Sequence, residues 1–269
     1  MAIMKNVFLA VILFFLWYGC SSVPITGRKQ LSIVSSSEMN TMAMTSYKET
    51  LASSKLSTNA SQTAIIKRVG ERISKAVEQY MSEHNMSSAI SGFEWEFNLI
   101  DDPNTVNAWC MPGGKVAFYT GIMPICQNET GVAVVMGHEI AHAVANHSAE
   151  RMSQELVTQM GGSALSVALQ QKPELTQQLA LSVYGVGSQV LGILPYSRLH
   201  ESEADKMGLI FMAIAGYDPN EAPKFWGRMK DASGGGAPPQ LLSTHPSDSK
   251  RIADLNAAMP EAMKYYKPQ

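Results

Sequence analysis

The chain has 269 residues, of which 45% are hydrophobic and 16% charged, a composition typical of a folded globular protein with a buried core. Its formal net charge is -2 and its isoelectric point is about 6.3, which argues against a nucleic-acid-binding protein, since no basic field attracts phosphates. Frequent Ala, Met, Gln, Glu and Lys residues predict a mostly helical α+β fold.

The N-terminal segment has the pattern of an export signal. After Lys5, apolar residues fill positions 7–18 without a break. A transmembrane helix needs about 20 apolar residues, so this shorter run predicts a secretory signal over residues 1–19. Gly19 and Cys20 then resemble a bacterial lipobox, in which the cysteine is lipidated and becomes the first residue of the mature protein. A plain signal peptide and a short signal anchor are the alternatives.

The segment that follows the signal is predicted to be a tether. Residues 20–35 carry Pro, Gly and Ser without a helical period, and they lead to a single domain over residues 36–269. Export would bring Cys110 and Cys126 into an oxidising compartment. A disulfide requires that their Cα atoms lie close together, which the sequence does not fix, and two free thiols are favoured.

The first part of the domain is predicted to contain two helices and two strands. The pattern is helical from Ser37 to Tyr80, with a break near Asn59, a plausible helix cap. Alternation with aromatic residues predicts a strand over Phe93–Ile100, and a second strand, Lys115–Gly121, follows a Pro-Gly-Gly turn. Apolar residues at three- and four-residue steps form one buried face of the second helix: Ile65, Ile66, Val69, Ile73 and Val77.

The second part of the domain is predicted to be helical. Asn128 caps the next helix, and two further helices lie on either side of Lys172-Pro173, because proline suits a helix start. Glutamines interrupt the apolar pattern of these two helices, which argues against a membrane span. Residues 232–240 form a loop rich in Gly and Pro, and the last helix follows Pro246.

The helix capped by Asn128 carries the motif HEIAH. His138 and His142 are four residues apart and project from one helix face, where two imidazoles can reach one zinc ion at about 2.0–2.1 Å. Glu139 lies beside them and can take a proton from zinc-bound water, whose pKa falls to about 7. The alternative is that the two histidines lie on the surface. This helix is apolar nearly all round, however, and polar side chains on a buried helix need a hydrogen-bond partner or a metal ion. The motif therefore predicts one Zn²⁺ per chain.

The third ligand must come from another part of the chain. His147 lies nine residues after the first motif histidine, on roughly the opposite side of the helix. The downstream sequence YSRLHESEAD offers Glu201, with Asp205 one turn later, where an aspartate could orient a ligand imidazole. His200 is the rival ligand. Glu203 points away from Glu201 and is expected on a solvated helix face.

The two motifs together resemble the gluzincin peptidases of the CAAX-prenyl-protease-like family, which includes bacterial envelope quality-control proteases and a mitochondrial inner-membrane protease. The family's second motif, S-R-x-x-E-x-x-x-D, matches Ser197, Arg198, Glu201 and Asp205. The resemblance implies a zincin-like domain with a small sheet beside the active-site helix, and it assigns the zinc to the two motif histidines and Glu201. The polytopic members of the family contain transmembrane helices, which the sequence pattern of this chain does not predict. This difference favours the soluble-domain, lipoprotein branch.

The resemblance further implies peptide-bond hydrolysis, in which Glu139 activates the water and later protonates the leaving amine. The sequence NAWCMPGGKVAFYTG is similar to the family's segment before the active helix, an edge strand that pairs with extended substrate. Main-chain pairing of this kind suits unfolded or misassembled polypeptides. The expected substrate-binding strand consists of Lys115, Val116, Ala117, Phe118 and Tyr119.

The late sequence STHPSDSKR is similar to the family's His-Pro segment. His245 could stabilise the oxyanion, could occupy the open metal position and hold the enzyme latent, or could only cap a helix beside Pro246. Arg251 could contact the same site or pair with an acid elsewhere.

The sequence VPITGRKQL resembles the start of the family's lipoprotein members. We therefore expect a lipid anchor on Cys20 that holds the protein in the bacterial envelope, facing the periplasm and at the outer membrane, with envelope assembly machinery as a further partner. Two other function classes stay open: a zinc-containing chaperone or assembly factor with little peptidase activity, and a zinc hydrolase of small molecules.

Overall fold

The structure is a computed structural model that describes residues 20–189, 194–232, 239–245 and 249–268. The predicted signal over residues 1–19, most of the loop over residues 232–240 and Pro246 lie outside the described residues. The predicted α+β class is confirmed, since helices predominate and the strands form two small sheets. None of the helices in the described part of the chain is long and apolar enough to cross a membrane.

The described chain divides into two compact units, where a single domain over residues 36–269 was predicted. The first unit combines the described residues up to Ser36 with those from Asn146 to Arg198. The second unit combines Ser37–Ala145 with the described residues from Leu199 onwards. Most residues between HEIAH and Glu201 therefore belong to the first unit, whereas HEIAH, Glu201 and Asp205 belong to the second.

The first unit, in the part that the structure describes, contains two short strands and two helices. Strands β1 (Cys20–Ser22) and β2 (Lys29–Leu31) pair in antiparallel orientation. Helices α5 (His147–Leu169) and α6 (Glu174–Gly187) flank the turn at Lys172-Pro173, as predicted.

The segment over residues 20–35 is thus not the irregular tether that was predicted. Arg28 donates two hydrogen bonds, of 2.9 and 2.6 Å, to the buried carboxylate of Glu150 in α5. The Ser153 hydroxyl accepts hydrogen bonds from the backbone N–H groups of Ile33 and Val34. These hydrogen bonds hold the segment against α5. The Pro, Gly and Ser residues of the segment do not predict the bonds, because the partner residues lie about 120 positions away in the sequence.

The second unit is built around a three-stranded sheet and the helix that carries HEIAH. It contains all or most of the helices α1 (Ser36–Ser53), α2 (Ala60–Glu83), the short α3 (Met123–Cys126), α4 (Glu129–Val144), α7 (Leu194–Ile214), α8 (Glu221–Asp231), the short α9 (Gln240–Thr244) and α10 (Ser249–Ala262). Its strands are β3 (Glu96–Ile100), β4 (Ala108–Met111) and β5 (Lys115–Tyr119). Asn59 and Asn128 cap α2 and α4 as predicted, since each side chain accepts a hydrogen bond from a backbone N–H in the first turn.

The sheet order is β3-β5-β4, which makes β5 the central strand. β5 pairs in parallel with β3 and in antiparallel with β4. The prediction that Lys115–Tyr119 is an edge strand is therefore wrong, because neighbouring strands already use both of its backbone edges. β4 was not predicted, since its four residues alone give too short a pattern of alternation.

Helix α4 lies in the core of the second unit, and every residue from Gly131 to Val144 is buried. It packs against α2, β4 and α8. It also approaches α7 very closely, because a Cβ atom at Gly137 would lie 2.9 Å from the backbone oxygen of Gly208. Only glycines allow this separation, and the close approach brings the HEIAH motif to the helix that carries Glu201 and Asp205.

We expect Gly208→Ala to destabilise the protein, because the added Cβ would lie 3.0 Å from the backbone of Gly137 and His138. Overpacking of this kind costs about 1–3 kcal/mol, which corresponds to a fall of about 2–12 °C in the thermal midpoint. Gly227→Ala in α8 is the matched control, since its Cβ would meet no atom within 4 Å. Equal midpoints for the two variants would contradict a tight helix crossing.

Candidate metal centre

Four potential ligand side chains converge in the second unit. His138 and His142 come from α4, Glu201 comes from α7, and His245 follows α9. One ligand atom from each lies within 4.8 Å of the corresponding atoms of the other three. Among the described residues, this is the one group of His, Cys, Asp and Glu side chains arranged to hold a metal ion.

The distances between the ligand atoms fit a tetrahedral zinc ion. His142 Nε2 lies 3.1 Å from His138 Nε2, which lies 3.2 Å from His245 Nδ1. The Glu201 oxygens lie 2.9 Å from His245 Nδ1, 3.3 Å from His138 Nε2 and 3.4 Å from His142 Nε2. Ligands at about 2.0–2.1 Å from a tetrahedral zinc ion are about 3.3 Å from one another. The three nitrogens and one carboxylate therefore have both the separation and the chemistry that zinc requires.

A second group of side chains lies behind His138. Asp205 Oδ1 is 3.0 Å from His138 Nδ1, the position predicted from the sequence for an orienting aspartate. Arg251 binds Asp205 through two hydrogen bonds of 2.7 and 2.8 Å, and it also donates to the backbone carbonyl of His245 at 3.3 Å. The guanidinium of Arg251 stacks on the Trp226 ring, 3.4 Å from its centroid. Arg251 therefore connects the support of His138 to the segment that carries His245.

The carboxylates of Asp205 and Glu201, both largely removed from water, favour positive charge at the site. Burial and Arg251 both lower the pKa of His138, but the carboxylates of Asp205 and Glu201 outweigh them and raise it to about 9. Burial raises the pKa of Glu201, yet the three neighbouring histidines hold it well below its usual range. The ligand group thus binds a cation readily, whether the cation is a proton or a divalent metal ion.

Glu139 is placed beside the ligands without belonging to them. Its carboxylate is buried, and the atom Oε1 has no hydrogen-bond partner among the described residues. His245 Nε2 lies 3.7 Å from this Oε1 atom. Burial raises the pKa of Glu139, partly offset by His245 and His138. A carboxylate with a raised pKa and an uncommitted oxygen is suited to proton transfer.

Three acidic or histidine side chains near the motifs are not part of the ligand group. His147 and His200 are both buried and are not among the four ligands. Glu203 was expected on a solvated face, and this is wrong, because only 4% of its surface is exposed. The reason is that α7 is buried on most sides, as Ala204, Met207 and Leu209 show.

Strand β4 lies alongside the helix that carries Glu139. The two elements pack together, and the charge of Glu139 adds to burial in raising the pKa of the Cys110 thiol on β4. The Tyr119 N–H donates to the Asn107 carbonyl, so by antiparallel alternation the backbone groups of Ala108 and Cys110 point away from β5. β4 is thus the strand of this sheet that presents backbone groups next to the ligands.

Cys110 and Cys126 are both free thiols, as predicted from the sequence.

Sequence reasoning missed two features of this site, Trp226 and β4. Trp226 lies in an ordinary amphipathic helix, α8, and nothing local distinguishes it from a core residue. An available signal for β4 was the turn after Met111, which implies a strand on each side.

Comparison with known proteins gives one family match. Residues 67–259 match peptidase family M48. The chain is 36% identical over 244 residues to the mitochondrial metalloendopeptidase OMA1 of Schizosaccharomyces pombe, covering 89% of this chain and 66% of the relative. It is 36% identical over 200 residues to the protein of the same name in Arabidopsis thaliana, covering 72% of this chain and 38% of the relative. It is 30% identical over 165 residues to the beta-barrel assembly-enhancing protease of Escherichia coli, covering 60% and 33%.

The chain therefore spans between one third and two thirds of the length of these curated relatives. The relatives include both mitochondrial and bacterial proteins, so the similarity by itself does not select the bacterial lipoprotein branch.

We predict that Glu201→Gln weakens zinc binding and that Glu203→Gln does not. An amide at position 201 removes the negative charge that three histidines face, whereas Glu203 is not one of the four ligands. Zinc content and affinity are measured by competition with a chromophoric chelator, and the parent should hold about one zinc per chain. Asp205→Asn should cost about 10–100-fold in zinc affinity.

Glu203 is buried, so its replacement also affects the fold. The zinc content of this variant is therefore compared with that of the parent per folded chain, and circular dichroism gives the folded fraction. Loss of zinc from Glu203→Gln and retention by Glu201→Gln would show that a different carboxylate completes the site.

Proposed function

The chain belongs to peptidase family M48, and on that premise we propose that it is a zinc-dependent endopeptidase that hydrolyses unfolded or misassembled proteins. The observation that carries the proposal is the convergence of four ligand side chains beside Glu139, whose buried Oε1 atom has no hydrogen-bond partner among the described residues. A zinc site with a purely structural role does not need a nearby carboxylate whose oxygen lacks a hydrogen-bond partner.

Bound zinc would polarise the scissile carbonyl and lower the pKa of a water molecule to about 7. Glu139 then accepts the proton of the attacking water and later donates it to the leaving amine. Its raised pKa makes the carboxyl able to hold that proton between the two steps. Asp205 keeps the His138 ring oriented through Nδ1, and Arg251 holds Asp205.

We place the substrate along β4 and not along β5. The backbone groups of Ala108 and Cys110 point away from β5, so an extended peptide can add to β4 as a further strand. Main-chain hydrogen bonds of this kind require an extended, unpaired segment in the substrate. This requirement favours unfolded or misassembled polypeptides over folded proteins and small molecules.

His245 is best interpreted as a ligand that closes the fourth metal position. Its Nδ1 atom lies 2.9 Å from both Glu201 oxygens and 3.2 Å from His138 Nε2, inside the ligand group. A group that only stabilised an oxyanion would lie beyond the ligands, on the substrate side. A zinc ion held by all four side chains would leave no open position for the carbonyl of a substrate, and we propose that this arrangement is the latent form of the enzyme.

The bacterial envelope is the proposed location. The apolar run at positions 7–18 and the Gly19-Cys20 pair support export and a lipid anchor on the periplasmic side, at the outer membrane. The similarity to a beta-barrel assembly-enhancing protease supports assembly machinery of the envelope as a partner.

We expect Glu139→Gln to retain zinc and lose peptidase activity, because it removes the proton acceptor and none of the four ligands. The metal-loaded chain is incubated with a permanently unfolded, fluorescently labelled protein, and fragments are followed with time. Loss of the proton acceptor should reduce cleavage by at least about 10²-fold. Undiminished cleavage would refute the mechanism, and no cleavage by the parent or by variants at position 245 would favour a zinc-containing chaperone.

We expect His245→Ala to keep zinc through the remaining three ligands and to cleave the unfolded protein several-fold faster than the parent. Opening the fourth position gives the substrate access to the metal. The competing interpretation predicts the opposite sign, since removal of an oxyanion donor slows catalysis by about 10²–10³-fold. His245→Gln is the matched control, because the amide is a much weaker ligand of similar size.

A further inference from the structure

Helices α5 and α6 of the first unit expose an unusual number of large apolar side chains. Met160 in α5 is 70% exposed, and Val183 in α6 is 72% exposed. Of the thirteen exposed large hydrophobic residues in the described chain, eight lie on these two helices: Leu156, Val157, Met160, Val167, Leu175, Leu179, Val183 and Val186. Isolated exposed apolar residues are ordinary, but a concentration of this kind marks an interaction surface.

The exposed apolar residues share one face on each helix, and we call each such row an apolar stripe. On α6 they occur at positions 175, 179, 183 and 186, and such steps of four and three residues keep them on one face for about 16 Å. On α5 they occur at positions 157, 160 and 167, which likewise share one face.

The two helices contact each other through other residues. The Tyr184 hydroxyl donates to the Thr158 carbonyl at 3.0 Å, and Gly161 leaves room for it, since a Cβ there would lie 2.1 Å from that hydroxyl. The apolar stripes are therefore not used to hold the two helices together.

Charge is almost absent from this surface. In the 34 residues from Leu156 to Gln189 the charged side chains are Lys172 and Glu174, which lie at the turn between the helices. The aromatic and arginine side chains that dominate protein–protein hot spots are missing from the stripes, because the one aromatic residue in this stretch, Tyr184, contacts α5. Uncharged aliphatic faces of this kind favour a lipid surface over a protein partner.

The first unit is also where the chain meets its apolar N-terminal run. That run occupies positions 7–18, and β1 begins at Cys20. β1 pairs with β2, and β2 packs against α5. No flexible spacer therefore separates the predicted attachment point from the unit that carries the stripes, so a membrane attachment at Cys20 keeps α5 and α6 within reach of the bilayer surface.

We propose that the apolar stripes of α5 and α6 dock into the interfacial layer of a lipid bilayer, beneath the headgroups. The inference rests on the proposed membrane attachment at the N-terminus, but not on the peptidase activity. Interfacial helices usually carry many Lys and Arg residues that attract anionic lipids, whereas these helices carry none on their apolar faces. Docking is consequently driven by apolar burial, binds zwitterionic lipid, and is insensitive to salt.

The test uses a photo-crosslinking amino acid in the full chain at Val183 or Met160, one position on each helix. The chain is reconstituted in vesicles of phosphatidylcholine that carry a radiolabelled acyl chain, and is irradiated in 0.1 M and in 0.5 M salt. Lys48 on α1 is the control position, since it is exposed and lies in the second unit. We expect lipid adducts at both stripe positions, at least ten-fold above Lys48, and equal yields at the two salt concentrations.

Adducts between two copies of the chain, without lipid adducts, would overturn the proposal in favour of self-association. Yields at Val183 and Met160 no higher than at Lys48 would overturn it in favour of a solvated surface. A circular dichroism spectrum and a thermal midpoint equal to those of the parent verify that both substituted chains fold. Fatty-acid labelling of the parent against Cys20→Ala tests the anchor separately, and the cleavage assay tests the peptidase separately, so each failure is distinguishable.

Discussion

Two carboxylates that are largely removed from water, Glu201 and Asp205, impose the main electrostatic constraint on the second unit. Removing a carboxylate from water costs several kcal/mol unless positive charge and hydrogen bonds compensate it. Both residues lie on α7, one turn apart, where it crosses α4. The ligand histidines and Arg251 supply this compensation, and the close glycine contact between α4 and α7 brings His138 and His142 to the two acids.

The two carboxylates are compensated in different ways. Asp205 binds Arg251, which is always charged, so its negative charge is satisfied in any state of the site. Glu201 faces three imidazoles, which are neutral unless they bind a proton, and the nearest Arg251 nitrogen is 3.5 Å away. Glu201 therefore requires a cation at the point where His138, His142 and His245 meet. This asymmetry explains why one acid serves as a ligand and the other as its support.

The order of the chain separates the chemistry from the proposed attachment. The HEIAH motif ends just before Ala145, where the second unit is interrupted, and that unit resumes at Leu199, two residues before Glu201. The intervening residues, 146–198, join the N-terminal strands in the first unit. The ligands thus come from one compact unit, whereas the apolar stripes and the residues next to Cys20 belong to the other. Changes in the stripes can consequently alter membrane contact without removing any ligand.

The sequence by itself determined the features that depend on local spacing. Four-residue steps placed His138 with His142 and Glu201 with Asp205, asparagine caps marked the starts of α2 and α4, and the overall pattern gave the α+β class. Such features follow from the periodicity of one helix or from one turn, and they need no knowledge of distant residues.

Only the tertiary structure decided the features that depend on which segments meet. It made β5 central and β4 the accessible strand, since strand order depends on pairing between separate segments. It buried Glu203, because the neighbours of α7 cover a face that helical geometry alone leaves open. It also brought His245 into the ligand group and placed Arg251 on Trp226, contacts between residues 25 to more than 100 positions apart. Long-range packing sets these positions, and no short pattern along the chain encodes it.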